Sequence, residues 1–420
     1  MDFRRNIYLV GGDLTTFIGK FHPDFIWKKH PDFGEKENPT LEEHLSASIN
    51  GAFEKTGVDP AAIDKGFIGN FAGELFANQG HMGALAVRAN EKLAGKPFMR
   101  LEGACASGGL AMVAGIDAIN AGTDVVLTAG AEVQTTVSAR EGAAYLARAA
   151  HWETERDIDD FTFPAMFARR AKHYKEKYGV TDEEIAHVSV KAYSNANKNP
   201  YAHMREVEMT LERAAEACDS NPNFLQNEEL KPHLKVSDCS QVSDGAAAVI
   251  LASEEGLEKL GVDKSDCVQV LAYGHATSPL GDVDDYTTLG NTEQAVQEAY
   301  SSAGIKPSDV DVAEVHDCFA VTELLMYEAL GFAGPGEGAE LASSGETQID
   351  GSIPVNTGGG LIAFGHPVGA TGVKQALEIY RQMKGLCGDY QMPQIPEVGL
   401  TANMGGDDRT TVSLAIKNLG

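Results

Sequence analysis

The chain of 420 residues is long enough for two or three domains that share cores. Hydrophobic residues make up 43% and charged residues 23%, as in ordinary soluble globular proteins, and no apolar run reaches the roughly eighteen residues of a membrane span. The formal net charge of −27 argues against a nucleic-acid or anionic-membrane partner, because the field of the whole molecule repels polyanions.

The first predicted element is a strand at residues 7–10. This apolar stretch is too short for a secretory signal, so a cytoplasmic location is expected. The six cysteines, at positions 105, 218, 239, 267, 318 and 387, include no Cys-x-x-Cys pair, which argues against a zinc site or a dithiol redox motif. A disulfide framework is not expected in a long chain of this kind. Each cysteine is therefore either a small buried hydrophobe or a reactive thiol.

Two segments of the chain repeat each other. Residues 52–60 match residues 299–307 without gaps, 247 positions later, and Ile68 corresponds to Val315. Each segment predicts a helix that ends at a Gly, then a turn through a Pro, then a short apolar strand.

A second pair of matching segments follows in the same order. A helix rich in small residues is predicted at 105–120 with a strand at 125–130, and a helix near 369–383 precedes a strand at 398–403. We interpret the chain as a duplicated β/α unit. Because strands alternate with helices, each half is predicted to hold a mostly parallel sheet.

Between the matching segments lies a region of different character, at about 134–235. It is rich in charged and aromatic residues, and we interpret it as an insertion on the first half that covers a ligand. One of its helices is predicted to begin near Thr181, which can cap the helix while Glu184 completes a capping box. The predicted domains are therefore residues 1–265, with this insertion, and residues 266–420.

Cys105 is the first candidate for chemistry. It lies in the stretch Gly-Ala-Cys-Ala-Ser-Gly-Gly at 103–109, directly before the run of small residues. If the helix begins at Cys105, the free N–H groups and the helix dipole favour the reactive thiolate. The flanking glycines allow a substrate carbonyl to approach the backbone N–H of Cys105. The alternative is a small residue that permits tight helix packing.

His366 lies in a glycine-rich stretch at 359–372 that contains Gly-His-Pro-Val-Gly-Ala-Thr-Gly. It is held between Gly365 and Pro367, at the start of the helix that mirrors the one at Cys105, and Pro is a favoured first residue of a helix. In a fold with pseudo-twofold symmetry, both helix starts can point at one pocket. The alternative is an ordinary turn histidine.

Two further blocks follow predicted strands. Residues 314–319 read Glu-Val-His-Asp-Cys-Phe, and ligands of open α/β folds collect at the carboxyl ends of strands. His316 and Cys318 are two apart on extended chain and so point the same way, with buried packing as the alternative for Cys318. The last block, Asn-Met-Gly-Gly-Asp-Asp at 403–408, exposes backbone N–H groups that can form an oxyanion site, or is an ordinary strand exit.

These four blocks, in this order and spacing, resemble the thiolase superfamily over essentially the whole chain. The His-Asp-Cys-Phe block at 316–319 resembles the sterol carrier protein-type thiolases. The resemblance implies an α/β thiolase fold, with two duplicated β/α halves in a layered αβαβα arrangement and an inserted loop domain. It also implies an acyltransferase, of the acetyl-CoA acetyltransferase or 3-ketoacyl-CoA thiolase type. Such an enzyme cleaves 3-ketoacyl-CoA by thiolysis, or condenses acyl-CoA units, through an acyl-cysteine intermediate.

The resemblance assigns roles to residues of this chain. Cys105 is expected to be the nucleophile, and His366, helped by His316, is expected to stabilise the enolate. The backbone N–H groups of Cys105 and Gly405 are expected to hold the tetrahedral oxyanion.

The chain departs from ordinary thiolases at one position. Those enzymes carry a second catalytic Cys in a Cys-x-Gly motif, whereas this sequence has Asn403 at that place. An amide is no proton shuttle at neutral pH. Resemblance to the sterol carrier-type branch implies that Cys318 takes that role.

Coenzyme A and acyl-CoA are expected as substrates in lipid and fatty acid metabolism, with no permanently bound cofactor and no metal. A homodimer or homotetramer is expected, without nucleic acid or membrane, and the family leaves open a small zinc- and OB-fold-containing partner protein. Several cations of the insertion form either a local basic entrance for CoA or solvated helix charges. They are Arg169, Arg170, Lys172, Lys175 and Arg205.

Two alternative functions stay open at this point. A ketoacyl synthase or hydroxymethylglutaryl-CoA synthase shares the fold and a Cys nucleophile, and does not need the thiol at Cys318. A non-catalytic thiolase-fold subunit of a complex is the other alternative, against which the set Cys105, His316, Cys318 and His366 argues.

Overall fold

The computed structural model describes residues 3–281 and 283–420, and over these residues the chain forms nine strands and fourteen α-helices. The strands are β1 Ile7–Leu14, β2 Lys65–Gly69, β3 Phe98–Leu101, β4 Val125–Glu132, β5 Gly245–Ser253, β6 Val268–Thr277, β7 Val312–Val315, β8 Val398–Gly405 and β9 Thr410–Asn418. The helices are α1 Leu41–Thr56, α2 Gly73–Phe76, α3 Met82–Val87, α4 Ser107–Asn120, α5 Ala139–Leu146, α6 Trp152–Glu155, α7 Thr162–Tyr178, α8 Asp182–Ala196, α9 Leu211–Ala215, α10 Glu254–Leu260, α11 Gly290–Ala303, α12 Ala320–Ala329, α13 Gly338–Ser344 and α14 Thr371–Met383.

The repeat predicted from the sequence is confirmed. Helix α1 followed by β2 in the first half corresponds to α11 followed by β7 in the second. Both helices end at a glycine in the left-handed region, Gly57 with φ 69° and Gly304 with φ 69°. Glycine adopts this conformation without the steric cost that a Cβ brings, and the helices therefore stop at equivalent places.

The strands of both halves join in one sheet with the order β3-β2-β4-β5-β1-β6-β9-β8-β7. The halves meet where β1 pairs with β6. The prediction of mostly parallel sheets is wrong, because five of the eight pairings among the described strands are antiparallel. The short turn from β8 to β9 permits only an antiparallel pair, and β5 returns from the insertion antiparallel to β4.

The helices form layers around the strands. Helix α1 contacts β1 and β5, helix α11 contacts β6 and β9, and α4 and α14 contact each other as well as the strands of their own halves. Successive residues of β1 alternate between two cores: Ile7 and Leu9 pack in the core that contains α4, and Tyr8 and Val10 pack in the core that contains α1. Helices therefore lie on both faces of the sheet, and the predicted α/β class with two duplicated β/α halves is confirmed.

Helices α4 and α14 approach each other through glycines. A Cβ added at Gly372 would lie 2.1 Å from the backbone N of Gly109, and a Cβ at Gly108 would lie 2.8 Å from the backbone N of Gly372. No larger residue fits in these places without movement of the backbone. The segments directly before the two helices are consequently brought to the same place.

The region between β4 and β5 contributes helices α5 to α9. The predicted capping box of α8 is confirmed, since the Thr181 side chain accepts from the N–H of Glu184, and the Glu184 carboxylate accepts from the N–H of Thr181 at 2.7 Å. In the described part of the chain, no helix is both long enough and apolar enough to cross a membrane.

We expect Gly372→Ala to destabilise the protein by about 1–3 kcal/mol, because its Cβ would overpack against the backbone of α4. The free energy of unfolding in a denaturant titration measures this. Gly290→Ala is the matched control, since Gly290 begins a helix and a Cβ there meets nothing within 4 Å. Equal stabilities of the two variants would contradict close backbone packing.

Candidate active site

Cys105 lies in a short turn of 3₁₀ helix, Ala104–Ala106, that leads directly into α4. The α-helix itself begins at Ser107, two residues later than the sequence predicted. The Ser107 hydroxyl clamps the turn, since it accepts from the N–H of Gly103 at 3.1 Å and donates to the carbonyl of Ala104 at 2.6 Å. Ala104 has φ 52°, an uncommon conformation for a residue with a Cβ. The turn holds Cys105 in one position.

The environment of the Cys105 thiol differs from the sequence-based prediction. Burial, aided by the charge of Glu132, raises its pKa to about 12, although hydrogen bonds from the backbone N–H groups of Gly406 and of Cys105 itself act in the opposite direction. The backbone N–H groups at the helix start act in the predicted direction and favour the thiolate, but the cost of burying the charged form exceeds what these donors supply. The resting nucleophile is a thiol.

His366 precedes a 3₁₀ turn, Val368–Ala370, that leads into α14. The hydroxyl of Thr371 donates to the carbonyl of Pro367 at 3.1 Å, and the same oxygen lies 2.7 Å from Nδ1 of His366. In this arrangement Nδ1 of His366 carries the proton and Nε2 has the lone pair. Burial lowers the pKa of His366 to about 3, so the ring is neutral at physiological pH.

His316 and Cys318 directly follow β7, as predicted. Burial lowers the pKa of His316 well below its usual value, and proximity to His366 adds to this effect. The two imidazole rings have their centroids 5.1 Å apart at an interplanar angle of 85°. Burial raises the pKa of Cys318, and so does the nearby Cys105, while a contact of 3.8 Å with the Thr322 hydroxyl lowers it.

The four predicted catalytic side chains converge on one cavity of about 550 Å³. One side-chain atom each of Cys105, His316 and His366 lies within 4.8 Å of the other two, and Cys318 lines the same cavity. A nucleophile, a neutral base, a second thiol and a second imidazole therefore face one space from the two duplicated halves. This set is suited to acyl transfer to sulfur followed by removal of a carbon-bound proton.

The structure places Gly405 at the end of β8, outside the lining of this cavity. Its neighbour Gly406, with φ 67°, lines the cavity and directs its N–H at the Cys105 sulfur. Gly406 is a site residue that the sequence analysis missed. The only signal was the Gly-Gly pair itself, which does not reveal which of two adjacent N–H groups turns toward a pocket.

The family model "Thiolase, N-terminal domain" matches residues 32–255, and "Thiolase C-terminal domain-like" matches residues 272–417. The chain belongs to the thiolase family. An acetyl-CoA acetyltransferase of Methanothermobacter thermautotrophicus is 38% identical over 361 residues, which cover 86% of this chain and 90% of that protein.

Two other similarities are informative. Sterol carrier protein 2 of Oryctolagus cuniculus is 32% identical over 368 residues, 84% of this thiolase chain and 64% of that protein. The solved Ltp2-ChsH2(DUF35) aldolase superposes with a TM-score of 0.76 at 20% identity and covers 98% of both chains, which shows the fold. This thiolase is thus an enzyme, and the acyltransferase function expected from its sequence fits the family.

Aromatic side chains form much of the cavity wall in this thiolase. Rings from the region between β4 and β5 cover the space above the four catalytic candidates, and Phe167 stacks on Phe319 with 4.6 Å between the ring centroids. The lining rings are Phe21, Phe25, Phe71, Phe76, Phe161, Phe163, Phe167, Phe224 and Phe319. The sequence predicts an aromatic cover only from the region at about 134–235, whereas Phe21, Phe25, Phe71, Phe76 and Phe319 come from outside it.

The cations considered as a basic entrance have other surroundings. Arg170 is buried and pairs with Asp407, which corrects its interpretation as a solvated helix charge. Lys172 pairs with Glu229, and Lys175 pairs with Asp182 at 2.8 Å. Among the described residues, none of these five cations lines the cavity; the lysine that does so is Lys20.

We expect the alkylation rate of Cys105 by iodoacetamide to rise roughly tenfold per pH unit between about pH 6 and 9, because a thiol with its pKa near 12 stays far from half-ionisation throughout. Peptide mass spectrometry of the free enzyme measures the rate. Cys218 is the internal control, since it is exposed and its pKa is lowered by hydrogen bonds to Ser220. A rate for Cys105 that is already constant at pH 6–7 would instead indicate a thiolate–imidazolium pair.

Proposed function

We propose that this chain catalyses thiolytic cleavage of 3-ketoacyl-CoA, or the reverse Claisen condensation of acyl-CoA units, with the acyl group carried on Cys105. The observation that supports this is the convergence of Cys105, His316 and His366, with one side-chain atom each within 4.8 Å, in the cavity that Cys318 also lines. Acyl transfer through sulfur needs a nucleophile with an adjacent base. The carbon–carbon step needs a second acid–base group and donors for an enolate.

In the first step, Cys105 attacks the thioester carbonyl of the acyl-CoA. Nε2 of His366 accepts the thiol proton as the sulfur–carbon bond forms, so that Cys105 is never left as an isolated thiolate. The backbone N–H groups of Cys105 and Gly406, or of the neighbouring Gly405, donate to the tetrahedral oxyanion. Collapse breaks the bond to the sulfur of CoA, which leaves with the proton from His366.

In the second step, the Cys318 thiol passes its proton to Nε2 of His366, and the resulting thiolate removes a proton alpha to the thioester of the second acyl-CoA; cleavage runs these transfers in reverse. The enolate oxygen formed in this way accepts from an N–H of His316 and from the protonated His366. The enolate carbon attacks the acyl group on Cys105, the sulfur–carbon bond breaks, and His366 returns its proton to the released Cys105 sulfur, so every group ends neutral.

Thr371 gives His366 the freedom that these two steps demand. In one arrangement, the Thr371 hydroxyl donates to the carbonyl of Pro367 and accepts from Nδ1–H of His366. In a second arrangement, the same hydroxyl rotates so that it donates to an unprotonated Nδ1. In the second arrangement the proton of His366 lies on Nε2. The same imidazole is then able to act as the base toward Cys105 and as a second donor toward the enolate.

Coenzyme A and acyl-CoA are the proposed substrates, with no permanently bound cofactor or metal. The name of the relative from Methanothermobacter thermautotrophicus, acetyl-CoA acetyltransferase, supports acetyl-CoA as an acyl donor. We assign the reaction to lipid and fatty acid metabolism in the cytoplasm. The proposed domains are residues 1–265, with an insertion at about 134–235, and residues 266–420, which agree with family matches that end at 255 and begin again at 272.

The proposed assembly is a homodimer or homotetramer, with a small zinc- and OB-fold-containing protein as an additional partner. The similarity to the Ltp2-ChsH2(DUF35) aldolase supports a second protein, because that fold relative is described together with one. Analytical sedimentation measures the mass of the purified chain, which tests the homo-oligomer, and the mass of the chain with a copurified protein, which tests the additional partner.

We expect Cys318→Ala to form the acyl-enzyme from acetyl-CoA at nearly the normal rate but to lose about a hundredfold or more in thiolysis, because only the carbon–carbon step uses that thiol. Cys105→Ser is expected to lose both acyl-enzyme formation and thiolysis. Intact-mass spectrometry follows the acyl adduct, and thioester absorbance follows thiolysis.

Cys239→Ala is the matched control, since Cys239 is buried and lines the same cavity but lies outside the proposed chemistry. Full thiolysis activity in Cys318→Ala would favour the synthase-type alternative, which the pair of histidines beside Cys105 also fits. No adduct on Cys105 in the unmodified enzyme would favour a non-catalytic subunit.

A further inference from the structure

Asn403 occupies the position at which the sequence departs from ordinary thiolases, and its amide is fully engaged. Its Oδ1 accepts from the backbone N–H of Gly109 at 3.0 Å. Its Nδ2 donates to the carbonyl of Cys105 at 3.1 Å and lies 3.3 Å from Nδ1 of His316. The side chain is 1% exposed and does not line the cavity. It therefore acts from behind the catalytic candidates.

The orientation of the Asn403 amide follows from its two backbone partners. A backbone N–H only donates and a carbonyl only accepts, so Oδ1 must face Gly109 and Nδ2 must face Cys105. The second hydrogen of Nδ2 is then directed at Nδ1 of His316, which has to accept it. A neutral imidazole that accepts at Nδ1 carries its proton on Nε2.

We propose that Asn403 is a positioning residue that holds the proton of His316 on Nε2, so that this ring always presents an N–H to the cavity. The catalytic consequence rests on the proposed function: His316 is a permanent donor for the enolate oxygen. The contrast with His366 is chemical. Its partner Thr371 is a hydroxyl that either donates or accepts, whereas the hydrogens of an amide nitrogen only donate.

The same constraint bears on metal binding. Cys105, His316 and His366 each have an atom within 4.8 Å of the others, a spacing that a zinc ion could close with small movements. A metal ion needs a lone pair from each ligand atom. The proton on Nε2 of His316 occupies that lone pair, so only Cys105 and His366 are left as possible ligands. A carboxylate at position 403 would accept a proton from Nδ1 of His316, free Nε2 and create the carboxylate–histidine pair that metal sites favour.

The direct test is the protonation state of His316 in Asn403→Asp. Multiple-bond ¹H–¹⁵N correlation spectra of protein labelled with ¹⁵N-histidine report which ring nitrogen holds the proton, and the signals of His316 are assigned by their loss in His316→Gln. We expect an unprotonated Nδ1 in the unmodified chain and a protonated Nδ1 in Asn403→Asp. A protonated Nδ1 in the unmodified chain, or the same pattern in both proteins, overturns the proposal.

This readout does not depend on catalysis, so it stands or falls separately from the proposed function. If Asn403→Asp does not fold, Asn403→Ala is the substitute, because it removes the donor without adding a charge. Both tautomers of His316 should then be populated. A single tautomer with the proton on Nε2 in Asn403→Ala overturns the proposal.

Kinetics and zinc inhibition test the consequences. In Asn403→Asp we expect thiolysis at about pH 8 to slow about a hundredfold and acyl-enzyme formation to slow less. Thiolysis should recover partly at lower pH, because the carboxylate at position 403 then stabilises a His316 imidazolium, which again has a proton on Nε2. The zinc chloride concentration that half-inhibits thiolysis should be at least tenfold lower for Asn403→Asp than for the unmodified enzyme.

Gln375→Leu is the matched control, since it removes a buried amide that donates at 3.3 Å to the carbonyl of Ala402, on the same strand as Asn403, and among the described residues its amide has no hydrogen bond to either histidine. The contrary result is that Asn403→Asp loses acyl-enzyme formation and thiolysis equally, with a flat pH profile, and that Gln375→Leu behaves in the same way. That result would mean that Asn403 has only a structural role.

Discussion

Helices α4 and α14 approach so closely that only glycine fits at Gly108 and Gly372. Because a short 3₁₀ turn at or beside a residue with chemical function leads into each helix, this contact brings Cys105 of one half and His366 of the other to the same cavity. The remaining elements depend on that arrangement. Asn403 bridges the two halves with bonds to Gly109, Cys105 and His316, and the strands behind the helices direct His316 and Cys318 to the same place.

Burial determines the protonation states in the site. It raises the pKa of both thiols and lowers the pKa of both histidines, so the resting site holds neutral groups instead of a thiolate and an imidazolium. The charge of Lys374, which is buried and paired with Glu314 at 2.8 Å, acts with burial in lowering the pKa of His366. Proton transfer from thiol to imidazole then has to accompany attack on the substrate, when charge moves onto an oxygen that has its own donors.

Glu132 and Arg170 tie the site to its surroundings. Glu132 is buried, with its pKa raised to about 7, and accepts from the N–H of Phe71 at 2.8 Å and of Gly369 at 3.1 Å, so it links a loop of the first half to the start of α14. Arg170, on α7, pairs with Asp407, the residue after Gly406. Removal of one partner from a buried ion pair is strongly destabilising, and the helices that cover the cavity are therefore coupled to the turn that directs an N–H at Cys105.

The sequence by itself determined the local features and the chemistry available: the duplicated helix–strand unit, the cap of α8, and the three blocks that hold Cys105, His316 with Cys318, and His366. These follow from signals a few residues long, such as a Gly after a helix or a Thr three residues before a Glu. Only the tertiary structure decided the antiparallel pairing of β4 with β5, the direction of the Gly406 N–H toward Cys105, the neutral thiol and the proton position on His316. Each of these depends on residues more than a hundred positions apart, such as Asn403 and Gly109, whose distances and burial no local pattern encodes.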